Sequence, residues 1–502
     1  MKMKMKKIIN YAVAGLLLVS SFAACDLDRT PHDSDIQKPY EDMATTVQYR
    51  DGLYSVLRSA ENPGRYVLSE YMSDMYCVMQ NDGGHATPYV TWTIPRIETA
   101  DHATNYYFFF NRLIQQANAF VGNVKQAMAN GVYKTEIDKT NAQIYLAEAK
   151  TLQALALYRL MERFAYPYDP NETTSPKNLG VVLVKEYDPW AVGARATQTE
   201  TYSYILSLLN EAVSILPETN TNNMYVSRDY ALGLRARVHM AMDNYAEAAD
   251  DIRAFYKKYN LISAADSEEF ENAYRKMGSN PELIFRGYAS NTKGYVVYQD
   301  LMGASGTTTV KYNPRVTPLQ WVCDLYDAAD YRKKVYITKG VNGDGGKGYV
   351  VNKFLGDPEL REDPKKENYK TACRFFSLAE AYLILAEADI MTGNTAEAME
   401  VLKELSKSRG AEVSGTDYMQ ILKDERTREM IGEGSRLNDM IRWNMDLVVY
   451  PAQAILHQTA TPTVLMTDDP TRVPAGFYAF TWEIPNRDLV VIPDLIRNWP
   501  KQ

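Results

Sequence analysis

Between Phe375 and Gly410 apolar residues recur with a helical period in two blocks. Tyr382, Leu385 and Ala386 fall at i, i+3 and i+4, and Ala398, Val401, Leu402 and Leu405 repeat the spacing. Glu397, Glu400, Glu404 and Lys407 occupy the other face of the second block. The pattern predicts two helices, each with one face to bury, and places Leu385 and Ala386 where the pair crosses. Gly393 tolerates positive φ and predicts the end of the first helix, while Asn394 with Glu397 three residues on predicts a cap for the second.

The small residues Ala386, Gly393 and Ala398 resemble the tetratricopeptide pattern, in which small side chains let paired helices approach closely; Asp389 and Leu405 depart from it. Helical periodicity also marks Thr45–Arg58, Tyr106–Met128, Gln143–Phe164 and Thr201–Leu216, with Pro167, Pro170 and Pro217 as stops. Asp229–Tyr259 repeats the first unit: Ala236, Asn244, Glu247 and Ala248 stand in the same mutual register as Ala386, Asn394, Glu397 and Ala398. Glu425–Trp443 reads as a charged helix, and Asn178–Val184 as a short strand-like run.

The expected fold is mainly α: a tetratricopeptide-like scaffold of about eight paired helices, near 45–128, 143–216, 229–259 and 375–410, forming one unit over residues 41–502. Two insertions, near 80–101 and 281–369, are rich in Gly, Pro, Asn, Tyr and Thr and carry short strand-like pieces such as Leu283–Phe285 and Tyr349–Phe354. Loop insertions on one face of a helical scaffold are where binding usually sits.

The first residues read differently. Met1–Lys7 is basic, Tyr11–Val19 is a short apolar run, and small residues lead to Cys25, the layout of an export signal over 1–24. The apolar run is too short to cross a bilayer. Phe22-Ala23-Ala24-Cys25 resembles a bacterial lipobox, with Phe22 where leucine is usual, so Cys25 is the expected lipidation site and 25–40 the tether to the membrane.

Composition narrows the function. At 46% hydrophobic and 24% charged residues the 502-residue chain has ample material for a core. Its net charge is −8, more acidic still without Lys2, Lys4, Lys6 and Lys7 of the leader, which disfavours nucleic acid as a partner. The 37 tyrosines suit both polar-ligand surfaces and tyrosine-rich cores.

Dedicated chemistry is sparse. Gly343-Asp344-Gly345-Gly346-Lys347-Gly348 satisfies G-x-G-x-x-G, but a strand-like run follows it, so the phosphate cradle that needs a helix is missing. His32, His85, His102, His239 and His457 lack zinc-site spacing. Asn81-Asp82-Gly83-Gly84 and Asn342-Gly343-Asp344 offer oxygens without a calcium-loop spacing, so a metal stays open and no cofactor is implied. Cys77, Cys323 and Cys373 allow at most one disulfide. Glu425, Glu429 and Glu433 recur every fourth residue but have Arg426, Arg428, Arg436 and Arg442 nearby, which favours a structural charge network over a glycosidase acid/base pair.

The order of segments resembles the SusD/RagB family of Bacteroidetes outer-membrane lipoproteins from end to end. The resemblance rests on the lipobox, Asn111-Arg112 with Ala117-Asn118, AEAKTLQALALYRLMERFAYP from Ala147, Asn280-Pro281-Glu282, Asp330-Tyr331-Arg332, Glu425-Arg426, Glu433-Gly434-Ser435-Arg436 and the closing Trp482-Glu483-Ile484-Pro485. It implies a non-catalytic, surface-exposed lipoprotein that binds a glycan or other nutrient and hands it to a SusC-like TonB-dependent transporter. A helical-repeat adaptor and, further off, a glycan-cleaving enzyme are the competing readings, and the long insertions argue against a pure adaptor. Aromatics of the insertions are the expected ligand contacts: Trp92, Tyr295, Tyr298 and Tyr312, since flat sugar faces stack on rings. Trp321, in a helix-like run, is assigned to packing.

Replacing Cys25 by alanine is expected to release the protein from membranes without lowering its melting temperature, because the tether carries no core residue. Fractionation and mass spectrometry of the mature N-terminus check this; an unmodified N-terminus elsewhere contradicts it.

Overall fold

The computed structural model describes residues 39–79, 82–93, 101–188, 190, 193–219, 222–302, 312–341, 347–453 and 464–500; Cys25, the leader and the glycine motif at 343–346 lie outside them. Among the described residues the scaffold is carried by α1 (Met43–Ala60), α2 (Asp101–Ala129), α3 (Glu136–Phe164), α4 (Gln198–Ile215), α5 (Arg228–Ala241), α6 (Tyr245–Arg253), α7 (Leu378–Met391), α8 (Thr395–Ser408) and α9 (Tyr418–Met430). Their starts follow from side-chain chemistry. Asp42 with Thr45 and Thr197 with Glu200 form reciprocal capping boxes on α1 and α4, and Thr135 caps α3.

The helices stack in chain order, each on the next, from α1 to α6. Helix α6 then packs against α7 although residues 254–377 separate them, which sets the two repeat units side by side. The arrangement is the tetratricopeptide-like scaffold that the periodicity predicts. Gly393 ends α7 at φ 89°, and Asn394 occupies the cap position of α8. The expected side-chain cap is not formed there: the Asn394 amide donates to Thr392 instead, and its backbone carbonyl accepts from Ala398.

Three expectations change in the folded protein. Helix α7 is not amphipathic, since every residue from Leu378 to Asp389 is buried beneath α5, α6, α8 and α9. Its Glu380, Glu387 and Asp389 pair with Arg237, Arg442 and Arg253, which is how a central helix carries carboxylates. The charged run Glu425–Trp443 is two helices, α9 and α10 (Arg436–Arg442), because Gly432 and Gly434 adopt φ of 77° and 74° between them. Asn178–Val184 forms no strand but a single bridge, Leu179 to Thr197. Leu385 and Ala386 are buried as expected.

The insertions are held by two-stranded antiparallel pairs: Tyr76–Val78 with Val316–Pro318, Leu283–Arg286 with Arg374–Ser377, and Ile337–Val341 with Lys347–Val351. The second of these claims Phe375 and Phe376, so α7 begins three residues later than periodicity suggests. Against the scaffold the insertions are pinned by buried charge. Arg409 donates to both oxygens of Glu282 at 2.7 and 2.8 Å and to both of Glu429 at 3.0 and 3.1 Å. Arg332 donates to Asp330 at 2.9 Å, Glu425 at 2.7 Å and Glu429 at 3.0 Å. Both guanidinium groups are wholly buried. Burial alone would raise the Glu429 carboxyl, but Arg409 and Arg332 outweigh it and hold the group well below its ordinary value. Glu425 and Glu429 are thereby structural ions, as the nearby arginines suggest.

Arg409→Met is expected to leave two buried carboxylates short of a guanidinium and cost about 3–5 kcal/mol in urea unfolding. Because Glu429 is depressed in the folded state, its contribution is present above its unfolded value of 4.5 and is lost as pH falls below that. Wild-type stability should therefore decline below pH 4.5 more steeply than that of the variant; parallel pH profiles and an unchanged midpoint contradict the assignment.

Candidate functional site

One face of α1 carries a polar stripe at helical spacing: Asp51, Ser55, Arg58, Ser59 and, just past the helix, Asn62. Opposite it a tight turn carries Tyr288 and Tyr295. The turn closes through Ser290, whose N–H donates to the Lys293 carbonyl at 2.9 Å, and Gly294 sits at φ 75°. A Cβ on Gly294 would stand 2.6 Å from the Tyr288 carbonyl oxygen, so only glycine lets the turn pass this close to Tyr288. Val296 then bridges to Thr371 and anchors the strand end.

Between these walls lies an open groove of about 740 Å³ lined by Asp51, Arg58, Asn62, Tyr225, Tyr288 and Tyr295, with Ser55, Ser59 and Lys293 at its margins. Its size is that of a small-molecule site. Tyr288 and Tyr295 are 39% and 36% exposed, which leaves ring faces open to a ligand. Each keeps a cation at its ring: Arg58 lies 5.7 Å from the Tyr288 centroid and Lys370 4.6 Å from that of Tyr295. Tyr225 closes one end; its hydroxyl donates to Asp51 at 2.9 Å and its ring lies 3.7 Å under the Arg50 guanidinium. Arg50 is fixed in turn by both oxygens of Glu148 at 2.6 Å.

At Asn62 the groove meets a second hollow of about 200 Å³, lined by Pro63, Tyr71, His85, Tyr298, Asp300 and Arg315. Asp300 takes Arg315 at 2.5 Å and His85 at 3.3 Å. Burial works to raise its carboxyl, and these two partners outweigh that and hold it low. A third cavity, about 190 Å³, lies among the helices and is lined by Glu61, Glu162, Glu380 and Glu387. Arg159 pairs with Glu61 and Glu162, Arg237 with Glu380 and Arg442 with Glu387, so these carboxylates are compensated rather than poised for acid/base work.

Of the four aromatics expected to contact ligand, the groove contains Tyr295. Trp92 is a core residue: fully buried, its indole N–H donates to the Met72 carbonyl at 3.0 Å and its ring packs edge-on against Phe480. Tyr312 is buried with its hydroxyl donated to Asn352 at 2.5 Å. Tyr298 is buried too, stacked on Phe354 with centroids 3.5 Å apart and bonded to the Tyr66 hydroxyl at 2.8 Å; only its edge reaches the second hollow. The groove also contains Tyr288, Tyr225 and the α1 stripe, which the sequence reading did not single out. The stripe was readable as an i, i+4, i+7, i+8 polar series on a helix otherwise judged by its apolar side. Trp321 packs as assigned, its indole N–H donating to the Asp74 carbonyl at 2.8 Å.

Among the described residues no group of three His, Cys, Asp or Glu could hold a metal ion, and no helix is long and apolar enough to cross a membrane. Asp82 is spent on capping, accepting from Ala86 N at 2.7 Å and Thr87 N at 3.0 Å, while Asn81 and Asn342–Asp344 lie outside the described residues. Cys77, Cys323 and Cys373 are buried free thiols; burial pushes Cys77 up to about 11 and Cys373 up to about 12.

Residues 320–500 match the sequence model of the SusD family. A SusD-like protein P2 of Formosa agariphila is 22% identical over 340 residues, 64% of this chain and 62% of that relative, so the match spans less than two thirds of the relative's length. Among solved structures, a SusD superfamily protein from Bacteroides thetaiotaomicron superposes with a TM-score of 0.75 at 20% identity, covering 91% of this chain and 100% of that one. A laminarin binding SusD-like protein superposes at 0.67 and 19% identity, over 92% and 100%. At such identities the solved structures establish the fold.

Trp92→Ala is expected to cost about 3–5 kcal/mol of stability, the loss typical of a buried tryptophan. A melting temperature within a degree of wild type would contradict its core placement.

Proposed function

We propose that this chain, which belongs to the SusD family, binds a glycan in the tyrosine-lined groove and does not cleave it. The observation that carries this reading is that Tyr288 and Tyr295, both partly exposed, line one groove with hydroxyl and charged groups of α1 and the Asn62 amide just past it. Pyranose rings present apolar C–H faces edged by hydroxyls, and that composition matches rings beside Ser55, Ser59 and Asn62. Family membership supports a carbohydrate-binding role, and the laminarin-binding structural relative supports a glycan as the ligand class. The compensated carboxylates around the interior cavity support binding without hydrolysis.

The reading extends to the whole chain. Residues 41–502 act as one binding unit, lipidated Cys25 anchors it to the outer membrane facing outward, and a SusC-like TonB-dependent transporter receives the ligand. Tyr295 stays a proposed contact from the sequence, joined by Tyr288 and Tyr225.

Tyr288→Ala and Tyr295→Ala should each weaken binding about tenfold in affinity gels while leaving the melting temperature unchanged, since neither ring is in the core. Full retention of binding in the double variant would place the ligand elsewhere.

A further inference from the structure

Arg58 is the groove's own arginine; away from the groove Arg163 and Arg374 likewise have no carboxylate ion pair among the described residues. Arg50, Arg159, Arg237, Arg275, Arg332, Arg409, Arg436 and Arg442 are each paired with at least one carboxylate. Arg58 is half-buried, yet no ion pair or hydrogen bond to its guanidinium is found among the described residues; its neighbour is the Tyr288 ring. A guanidinium has five N–H donors and no acceptor capacity, so leaving it partly desolvated and unpaired costs stability. Burial pulls its pKa below the ordinary arginine value, which is the electrostatic sign of the same cost.

The position of the side chain is built rather than incidental. Its Cγ and Cδ lie 3.2 Å from where a Cβ on Gly287 would stand, so the missing side chain at 287 makes room for the stem to lie flat. The guanidinium is thereby delivered to the groove wall next to Tyr288. Lys293, on the facing turn, adds an exposed ammonium to the same groove. The groove's acid, Asp51, is seven residues back along α1, where it already accepts the Tyr225 hydroxyl. The groove is therefore polarised, cationic beside Tyr288 and anionic at Tyr225.

We infer that the ligand is an acidic glycan, whose carboxylate or sulfate group docks on Arg58 while the adjoining ring stacks on Tyr288. Arginine suits either anion, because its planar fork matches two oxygens at once. The inference rests on the groove reading of the preceding section and adds the charge class of the ligand to it.

Two matched polymer pairs test it with the mature protein: polygalacturonate against its highly methyl-esterified form, and dextran sulfate against dextran. Within each pair the backbone is shared and only the charge differs, so the first arm reports carboxylate recognition and the second sulfate recognition. The expected result is binding at least tenfold tighter to one acidic polymer than to its uncharged counterpart, weakening as salt rises. Arg58→Gln should bring that ratio close to one, and Arg58→Lys should restore part of it. Should Arg58→Gln fail to fold, Lys293→Gln and the salt dependence of the wild type give the same readout. Equal binding within both pairs, no binding to either acidic polymer, or a ratio untouched by Arg58→Gln overturns the inference. Loss of binding in the Tyr288 and Tyr295 variants alongside an unchanged charge ratio in Arg58→Gln leaves the groove reading standing and removes only this step. Unchanged binding in the tyrosine variants removes the groove reading itself.

Discussion

Two buried guanidinium groups, Arg332 and Arg409, tie together parts of the chain that no local interaction could join. Arg409 closes the second repeat unit and grips Glu282 at the mouth of the long insertion; Arg332 comes from within that insertion and grips Glu425 on α9. Glu429 lies between them and takes both. Such clusters give little net stability over an apolar core of the same shape, but losing one member is costly, so they make one arrangement of the pieces far better than its alternatives. Here the alternatives are many, because the insertion contains only short strands and short helices and could dock on the scaffold in other registers.

With the insertion fixed in this way, the groove inherits rigidity from both sides. One wall is a regular helix whose inner face is buried in the scaffold, Leu53, Tyr54 and Leu57 among it. The other is a turn whose closure depends on Gly294 and whose strand end is held by the Val296–Thr371 bridge. The floor is organised by Glu148, which orients Arg50 and accepts the Tyr54 hydroxyl at 2.8 Å. A site assembled from such fixed parts loses little conformational entropy on binding. The interior cavity differs in that its carboxylates Glu61, Glu162, Glu380 and Glu387 are already paired with arginines.

Much of the scaffold was legible in the sequence. Apolar periodicity located α1 to α8 because most of these helices bury one face, although α7 and the second half of α3 are buried on nearly every side, and Gly393 marked a turn that only positive φ can make. The arginines around Glu425 and Glu429 identified a charge network before any distance was known. The site was less legible, for a physical reason: in an irregular insertion no periodicity distinguishes inside from outside. Trp92 and Tyr312 share their composition and loop context with Tyr295, yet partners far along the chain, Phe480 for Trp92 and Asn352 for Tyr312, draw them into the core. The break between α9 and α10 was hidden likewise, since Gly432 and Gly434 interrupt a run whose charge pattern continues across them.

The central claim is that ligand seats between α1 and the Tyr288–Tyr295 turn while the buried ions serve the fold alone. Hydrogen–deuterium exchange of the mature protein, with and without saturating oligosaccharide of whichever test polymer binds most tightly, addresses it directly. Slowed exchange confined to residues 51–62, 222–226 and 288–296, with 425–436 unchanged, is the expected result. Protection concentrated at 425–436 or around the interior cavity, with the groove unaffected, would contradict it.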